Sequence, residues 1–186
     1  EGQVQKAVFG MDLPLGSYYV EERQAPKGYL KSETRLSVDA AWRADQREAV
    51  QWAGTIRNQP VLVQINLMDY HTEQELTGAV LRITDETGQR VAEVETIHDQ
   101  NPVIRGLEPG RTYLVEKLSG PEGYEKALTL KEDYVTEKKG AVELPKTSPD
   151  GETVRFTVQE EERLQVVSVF DRPLNGELVL EKIGEV

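Results

Sequence analysis

The sequence predicts an all-β fold made of tandem β-sandwich modules. Three observations carry this. Apolar residues alternate with polar ones along most of the chain, turn residues separate the alternating runs, and one 17-residue pattern occurs twice about 95 residues apart. Period 2 with one apolar face marks a half-buried antiparallel strand. A repeat near 100 residues suits sandwich modules in series.

The alternation is found in Leu36, Val38, Ala40 and Trp42, then in Val50, Trp52 and Ile56. It returns in Val61, Val63, Ile65 and Leu67, and again in Val154, Phe156 and Val158. Pro14-Leu15-Gly16, Glu86-Thr87-Gly88, Pro109-Gly110 and Pro149-Asp150-Gly151 supply turns between runs. Residues 42–52 read as a hairpin with its turn around Ala44–Arg47, which aims Trp42 and Trp52 at the core.

The repeat defines the modules. Residues 13–29 are LPLGSYYVEERQAPKGY and residues 107–124 are LEPGRTYLVEKLSGPEGY. Leu13, Gly16, Tyr19 and Glu22 fall on Leu107, Gly110, Tyr113 and Glu116 at a separation of 94. Pro26, Gly28 and Tyr29 fall on Pro121, Gly123 and Tyr124 at 95. Asn58-Gln59-Pro60 recurs 113 residues later as Asp171-Arg172-Pro173, so the second copy holds 18 more residues before its closing strand, assigned to 131–151. Residues 1–59 then form a partial module with the later strands only, 60–173 a complete one, and 174–186 the opening strand of a following module. On this reading the chain is a piece of something longer.

Composition narrows the function. Charged residues make up 30% of the 186 residues, and the formal net charge is -11. No basic stripe is available for nucleic acid, and an anionic membrane would be repelled. The absence of cysteine excludes disulfides and thiolate catalysis. No signal peptide or transmembrane run is visible. His71 and His98 lack partners for a metal, Glu160-Glu161-Glu162 reads as a solvated turn, and no cofactor motif is present. Leu144-Pro145-Lys146-Thr147-Ser148 resembles a sortase sorting motif but has Ser where the genuine signal has Gly, and it reads as a loop.

One feature of the repeat carries chemistry. In the first copy Tyr18, Val20 and Glu22 share a face; in the second, Leu114, Glu116 and Leu118 do. Both glutamates are therefore expected to point inward, where burial raises a carboxyl pKa unless a partner offsets it.

The string Leu-Pro-x-Gly-x-Tyr-x-x-x-Glu-x-x-Ala-Pro-x-Gly-Tyr at 13–29 resembles the signature of Cna B-type, or SpaA-like, domains; residues 107–124 resemble it more loosely, with Ser119-Gly120-Pro121 in place of Ala-Pro. The resemblance implies immunoglobulin-like, prealbumin-type sandwiches of adhesins and pilins on the Gram-positive cell surface. It implies a non-enzymatic stalk or spacer whose partners are neighbouring modules, and a host protein or glycan only through the parent protein. The alternative is an adhesive module that contacts its ligand through Trp42, Trp52 or the insertion.

In that family a first-strand Lys attacks a last-strand Asn or Asp to form an isopeptide bond, and an inward Glu shuttles the protons. Carried over, Glu22 is the proton shuttle and Asn58 the acceptor of the first module, with the donor on a strand before Glu1. In the second module Glu116 and Asp171 match, but Leu67 stands at the donor position, so no isopeptide bond is expected and both matches are unused. A gap error in this alignment would let a nearby lysine such as Lys117 or Lys126 compensate. Lys182 matches the donor Lys of a following module.

Overall fold

The computed structural model describes residues 14–41 and 54–175. They divide into two units, one of residues 14–25, 31–41 and 54–58, the other of residues 26–30 and 59–175. Residues 26–30, placed in the first module by the sequence reading, thus pack with the second unit. Trp42, Trp52, the hairpin between them and Lys182 lie outside the described residues.

In the first unit β1 (Gly16–Glu21) pairs antiparallel with β2 (Arg35–Ala40), with Tyr18 opposite Val38. Both strands alternate exposed and half-buried positions, as the period-2 pattern requires. Residues 54–59, where a strand through Ile56 is expected, carry none.

The second unit is a sandwich of two sheets. β3 (Leu62–Asp69), β4 (Val80–Asp85), β5 (Arg90–Glu95), β6 (Val103–Arg105) and β7 (Thr112–Ser119) come first; β8 (Ala141–Glu143), β9 (Lys146–Thr147), β10 (Val154–Thr157) and β11 (Leu164–Asp171) follow. One sheet has the order β5-β4-β7-β10-β9, the other β6-β3-β11-β8. No helix occurs among the described residues. Alternate residues fill the space between the sheets: Leu81 and Ile83 on β4, Val115 on β7, Val154 and Phe156 on β10 face Val63, Ile65, Leu67, Val167 and Val169. The opening and closing strands, β3 and β11, run parallel side by side with Asp69 opposite Asp171.

β3 is buried on both faces, more than half-buried alternation predicts. The insertion supplies the cover. Its Lys138 Nζ donates to Gln64, and Tyr134 stacks edge-on against Phe170 with centroids 5.1 Å apart. The insertion also crosses between the sheets, pairing β8 with β11 and β9 with β10. Glu143 accepts hydrogen bonds from the Ser168 amide and hydroxyl at 2.8 and 2.9 Å, and pairs with Lys146.

The stretch 144–148 is therefore not a free loop. Leu144 is 1% exposed in the core, and Lys146 and Thr147 form β9. Such packing gives Leu144→Ala an expected destabilisation of about 2–5 kcal/mol, to be read from denaturant unfolding.

Candidate cross-linking site

The end of the closing strand is where the predicted site residues meet. In the first unit Glu22 follows β1 and is half-buried on the side of Tyr18 and Val20. The Asn58 side-chain amide donates from Nδ2 to Glu22 Oε1 at 2.8 Å, and the Ser32 backbone amide donates to Oε2 at 2.8 Å. Both oxygens of the carboxylate are thus held. Glu22 touches the nitrogen that would leave if an amine attacked the Asn58 carbonyl carbon, which is where a proton shuttle has to sit.

The second unit differs from the sequence expectation. Glu116 points out of the sandwich, with Arg82 Nη1 at 3.3 Å and its side chain 40% exposed. Leu114 and Leu118 lie on the same outer side, Leu118 at 36% exposure. The inward residues are Tyr113, Val115 and Lys117. The extra residue of the second copy falls between Gly110 and Tyr113, in the turn, so a separation of 95 holds from the tyrosine onward. Tyr113 then matches Tyr18, Val115 matches Val20 and Glu116 matches Glu21.

Local contacts agree with that alignment. The Tyr18 hydroxyl donates to the Pro14 carbonyl at 2.7 Å, and the Tyr113 hydroxyl accepts from the Glu108 amide at 2.9 Å, each closing the preceding turn. Glu21 pairs with Arg35 at 3.0 Å across the strands, as Glu116 does with Arg82. The residue that matches Glu22 is Lys117.

Lys117 makes a buried ion pair with Asp171. Its side chain is 2% exposed and that of Asp171 0%. The Lys117 ammonium also donates to the Glu125 carbonyl, and its stem passes beneath Gly120. A bulge at Leu118, where Val80 faces Ser119 but Leu81 faces Lys117, lets β7 turn away beyond the pair. Asp171 Oδ2 is buried with no hydrogen-bond partner among the described residues. Burial is the main effect on the Asp171 carboxyl and raises its pKa, against the lowering by Lys117.

The other acid nearby is already committed. Asp69 accepts from the backbone amides of Thr72 at 2.7 Å and His71 at 2.8 Å, and from the Tyr124 hydroxyl at 2.8 Å. The Thr72 hydrogen bond leads these in lowering its pKa to about 2. It stays ionised at neutral pH and has no proton to lend. Leu67, at the expected donor position, is 0% exposed in the core. Lys126 is exposed. His71 is exposed and His98 meets Asp99 on the surface, and no group of three metal-ligating side chains occurs among the described residues.

Residues 62–148 match the family model SpaA, the prealbumin-like fold domain. The matched residues lie within the second unit, whose all-β sandwich agrees with a prealbumin-like fold. Among solved structures, the Bacillus anthracis TIE protein matches with a TM-score of 0.50 at 20% identity, over 87% of this chain and 26% of that one. A Streptococcal ancillary pilin matches at 24% identity and TM-score 0.38, over 87% of this chain and 43% of that one. The shaft pilin SpaA of Lactobacillus rhamnosus GG matches at 14% identity and TM-score 0.37, over 88% and 64%. The chain thus spans a quarter to under two thirds of the length of these proteins. No curated protein matches. At these identities the solved structures speak to fold, and the TIE protein supports the sandwich seen here.

Two predictions come from this unit. Lys117→Met leaves a carboxylate buried without its partner and should cost about 3–5 kcal/mol, whereas Lys117→Met with Asp171→Leu should recover most of it; equilibrium unfolding of both singles and the double reads the coupling. Asp69 is the buried one of several carboxylates with a lowered pKa in this unit. Its folded pKa lies below its unfolded value of 3.8, so its contribution is present above pH 4 and is lost as pH falls towards 2. Asp69 should account for about 1–2 kcal/mol of the stability lost over that window, and Asp69→Asn should remove that share.

Proposed function

We propose that this chain is a structural stalk or spacer segment of a cell-wall-anchored surface protein of a Gram-positive bacterium, an adhesin or pilin, and that it performs no turnover. The observation that carries the proposal is the paired polar contact at two matching positions of the repeat, Glu22 with Asn58 and Lys117 with Asp171. Both sit at matching places of a repeated signature and tie the last residue of the module to its signature strand. Such ties serve resistance to unfolding rather than substrate handling.

The two units finish this contact differently. In the first, a Lys from an opening strand attacks Asn58 Cγ; the Cγ–Nδ2 bond breaks, Glu22 carries the amine's proton to Nδ2, and ammonia leaves. Contact geometry supplies the rate and the carboxyl supplies the proton path. It happens once per molecule. In the second, the amine is Lys117 and the acceptor Asp171, but condensation there would release water and needs a proton donor at the leaving oxygen. Glu116 faces outward and Asp69 is ionised, so the pair stays uncondensed. Asp171 thus serves as an ion-pair partner, and Lys182 is reserved as donor for a module beyond.

The insertion supports the structural reading over an adhesive one. Lys131, Tyr134, Lys138 and Glu143 all contact residues of their own sandwich, so this segment is occupied within the fold.

Intact mass spectrometry tests the proposal on a longer chain that begins with an opening strand. The expected result is the loss of one ammonia, abolished by Glu22→Ala and by Asn58→Ala, with no loss of water from the second unit. An unchanged mass in the first unit, or a water loss removed by Lys117→Met, would reject this division of chemistry.

A further inference from the structure

The signature loop occurs twice, and its two copies make the same backbone contacts. Val61 donates to the Gly28 carbonyl at 2.9 Å, and Leu174 donates to the Gly123 carbonyl at 2.7 Å. Leu30 donates to the Gln59 carbonyl at 2.8 Å, and Glu125 to the Arg172 carbonyl at 2.9 Å. Tyr29 bridges Pro60, and Tyr124 bridges Pro173. Each Pro-x-Gly-Tyr loop thus grips the chain just beyond Asn58 or Asp171.

What covers them is different. At the first loop, Val61 is 0% and Leu30 7% exposed in the core of the second unit. Gly28 is buried at φ 79°, and a Cβ there would stand 2.3 Å from the Gly106 Cα. Lys27 pairs with Glu108 at 3.3 Å beside this contact. At the second loop, Gly123 has φ 87°, is exposed, and has no described atom within 4 Å of the place a Cβ would take. Leu174, the counterpart of Val61, is 62% exposed. The backbone is preset as at Gly28, without the neighbour that makes glycine necessary there.

We infer that Gly123, Glu122, Tyr124 and Leu174 form a docking seat for a further prealbumin-like module, which covers Gly123 with its own counterpart of Gly106. The seat repeats the loop whose first copy is covered inside the second unit at Gly28, so its occupant has the same fold and enters from Leu174. Charge specifies it further. Glu122 stands where Lys27 stands in the first loop, so the occupant carries a cation, not Glu, at its counterpart of Glu108. The inference stands on the repeated loop and not on the stalk or cross-link reading, and a module with neither role would still show it.

The test replaces residues 174–186 with a second copy of residues 61–173, placed directly after Pro173, with Glu122→Lys to meet the copied Glu108. Hydrogen exchange at residues 123–125 should slow to the level at 28–30. Gly123→Ala carries only its positive-φ strain in the present chain, and should lower the melting midpoint of the extended chain by at least about 4 °C more. Gly28→Ala gives the reference effect in both. Exchange at 123–125 that stays fast, an equal effect of Gly123→Ala in the two chains, or an appended copy that does not fold would each overturn the inference.

Discussion

A sandwich closed by a strand that ends on a polar, inward-facing residue has to provide that residue with a partner from the other sheet. An unpaired buried donor or acceptor costs roughly 1–3 kcal/mol, and an unpaired charge more. Asp171 occupies this place in the second unit and pairs with Lys117; Asn58, at the matching position of the repeat, is partnered by Glu22, the residue that Lys117 matches. The two pairs are chemically reciprocal. An acid faces an amide in one unit, and an amine faces an acid in the other. The exchanges are coupled: Glu opposite Asp would set two carboxylates together and force one to hold a proton, and Lys opposite Asn would leave an ammonium with only a neutral acceptor. Once the closing residue is Asp, Lys is the partner that satisfies it.

The same constraint accounts for Leu67. It lies on β3, beside β11 and on the inward face, where an amine would approach Asp171. With Lys117 already there, a second cation would be a buried charge without a counterion, so an apolar side chain is the stable choice. Asp69, two residues on, is turned to other work. Its carboxylate holds the loop after β3 and the Tyr124 hydroxyl. That tyrosine belongs to the signature loop, so the opening strand, the closing strand and that loop are joined within a few residues of Asp171.

The all-β class, the signature and the strands with clean alternation were legible because they rest on local periodicity and turn chemistry. Glu22 and Asn58 were also legible: each alternates with apolar neighbours, and their contact follows from the two facts together. Lys117 was not, because TYLVEKLS offers two alternating faces with one charge each, and Leu114-Glu116-Leu118 is as apolar as Tyr113-Val115-Lys117. The signal that separates them is the position of the single extra residue. Placing it in the Gly110-Arg111-Thr112 turn, where loops tolerate length changes, matches Val20 with Val115 and Glu21 with Glu116 as well as the tyrosines. The burial of Leu144 and the outer face of β3 were hidden for another reason. They depend on an insertion folding back over its own sheet, a long-range contact that no local pattern records.

The topology gives the Lys117–Asp171 pair its mechanical sense. In the proposed stalk role, a load carried through the second unit would enter at Val61 and leave at Pro173, beside the ends of β3 and β11. These strands are parallel neighbours in register from Val63 opposite Gln165 to Asp69 opposite Asp171, so opposed forces at those ends act along the strands. The ladder bonds between them then share the load in shear instead of opening one at a time. The weak place is the exit end of β11, where the last residue could peel off before the ladder is engaged. Lys117 grips β11 there from the opposite sheet, and the Gly123 carbonyl holds Leu174 just beyond. Placed in mid-strand, the same ion pair would add little, because the ladder already holds that part; at Asp171 it keeps force from reaching the ladder one bond at a time.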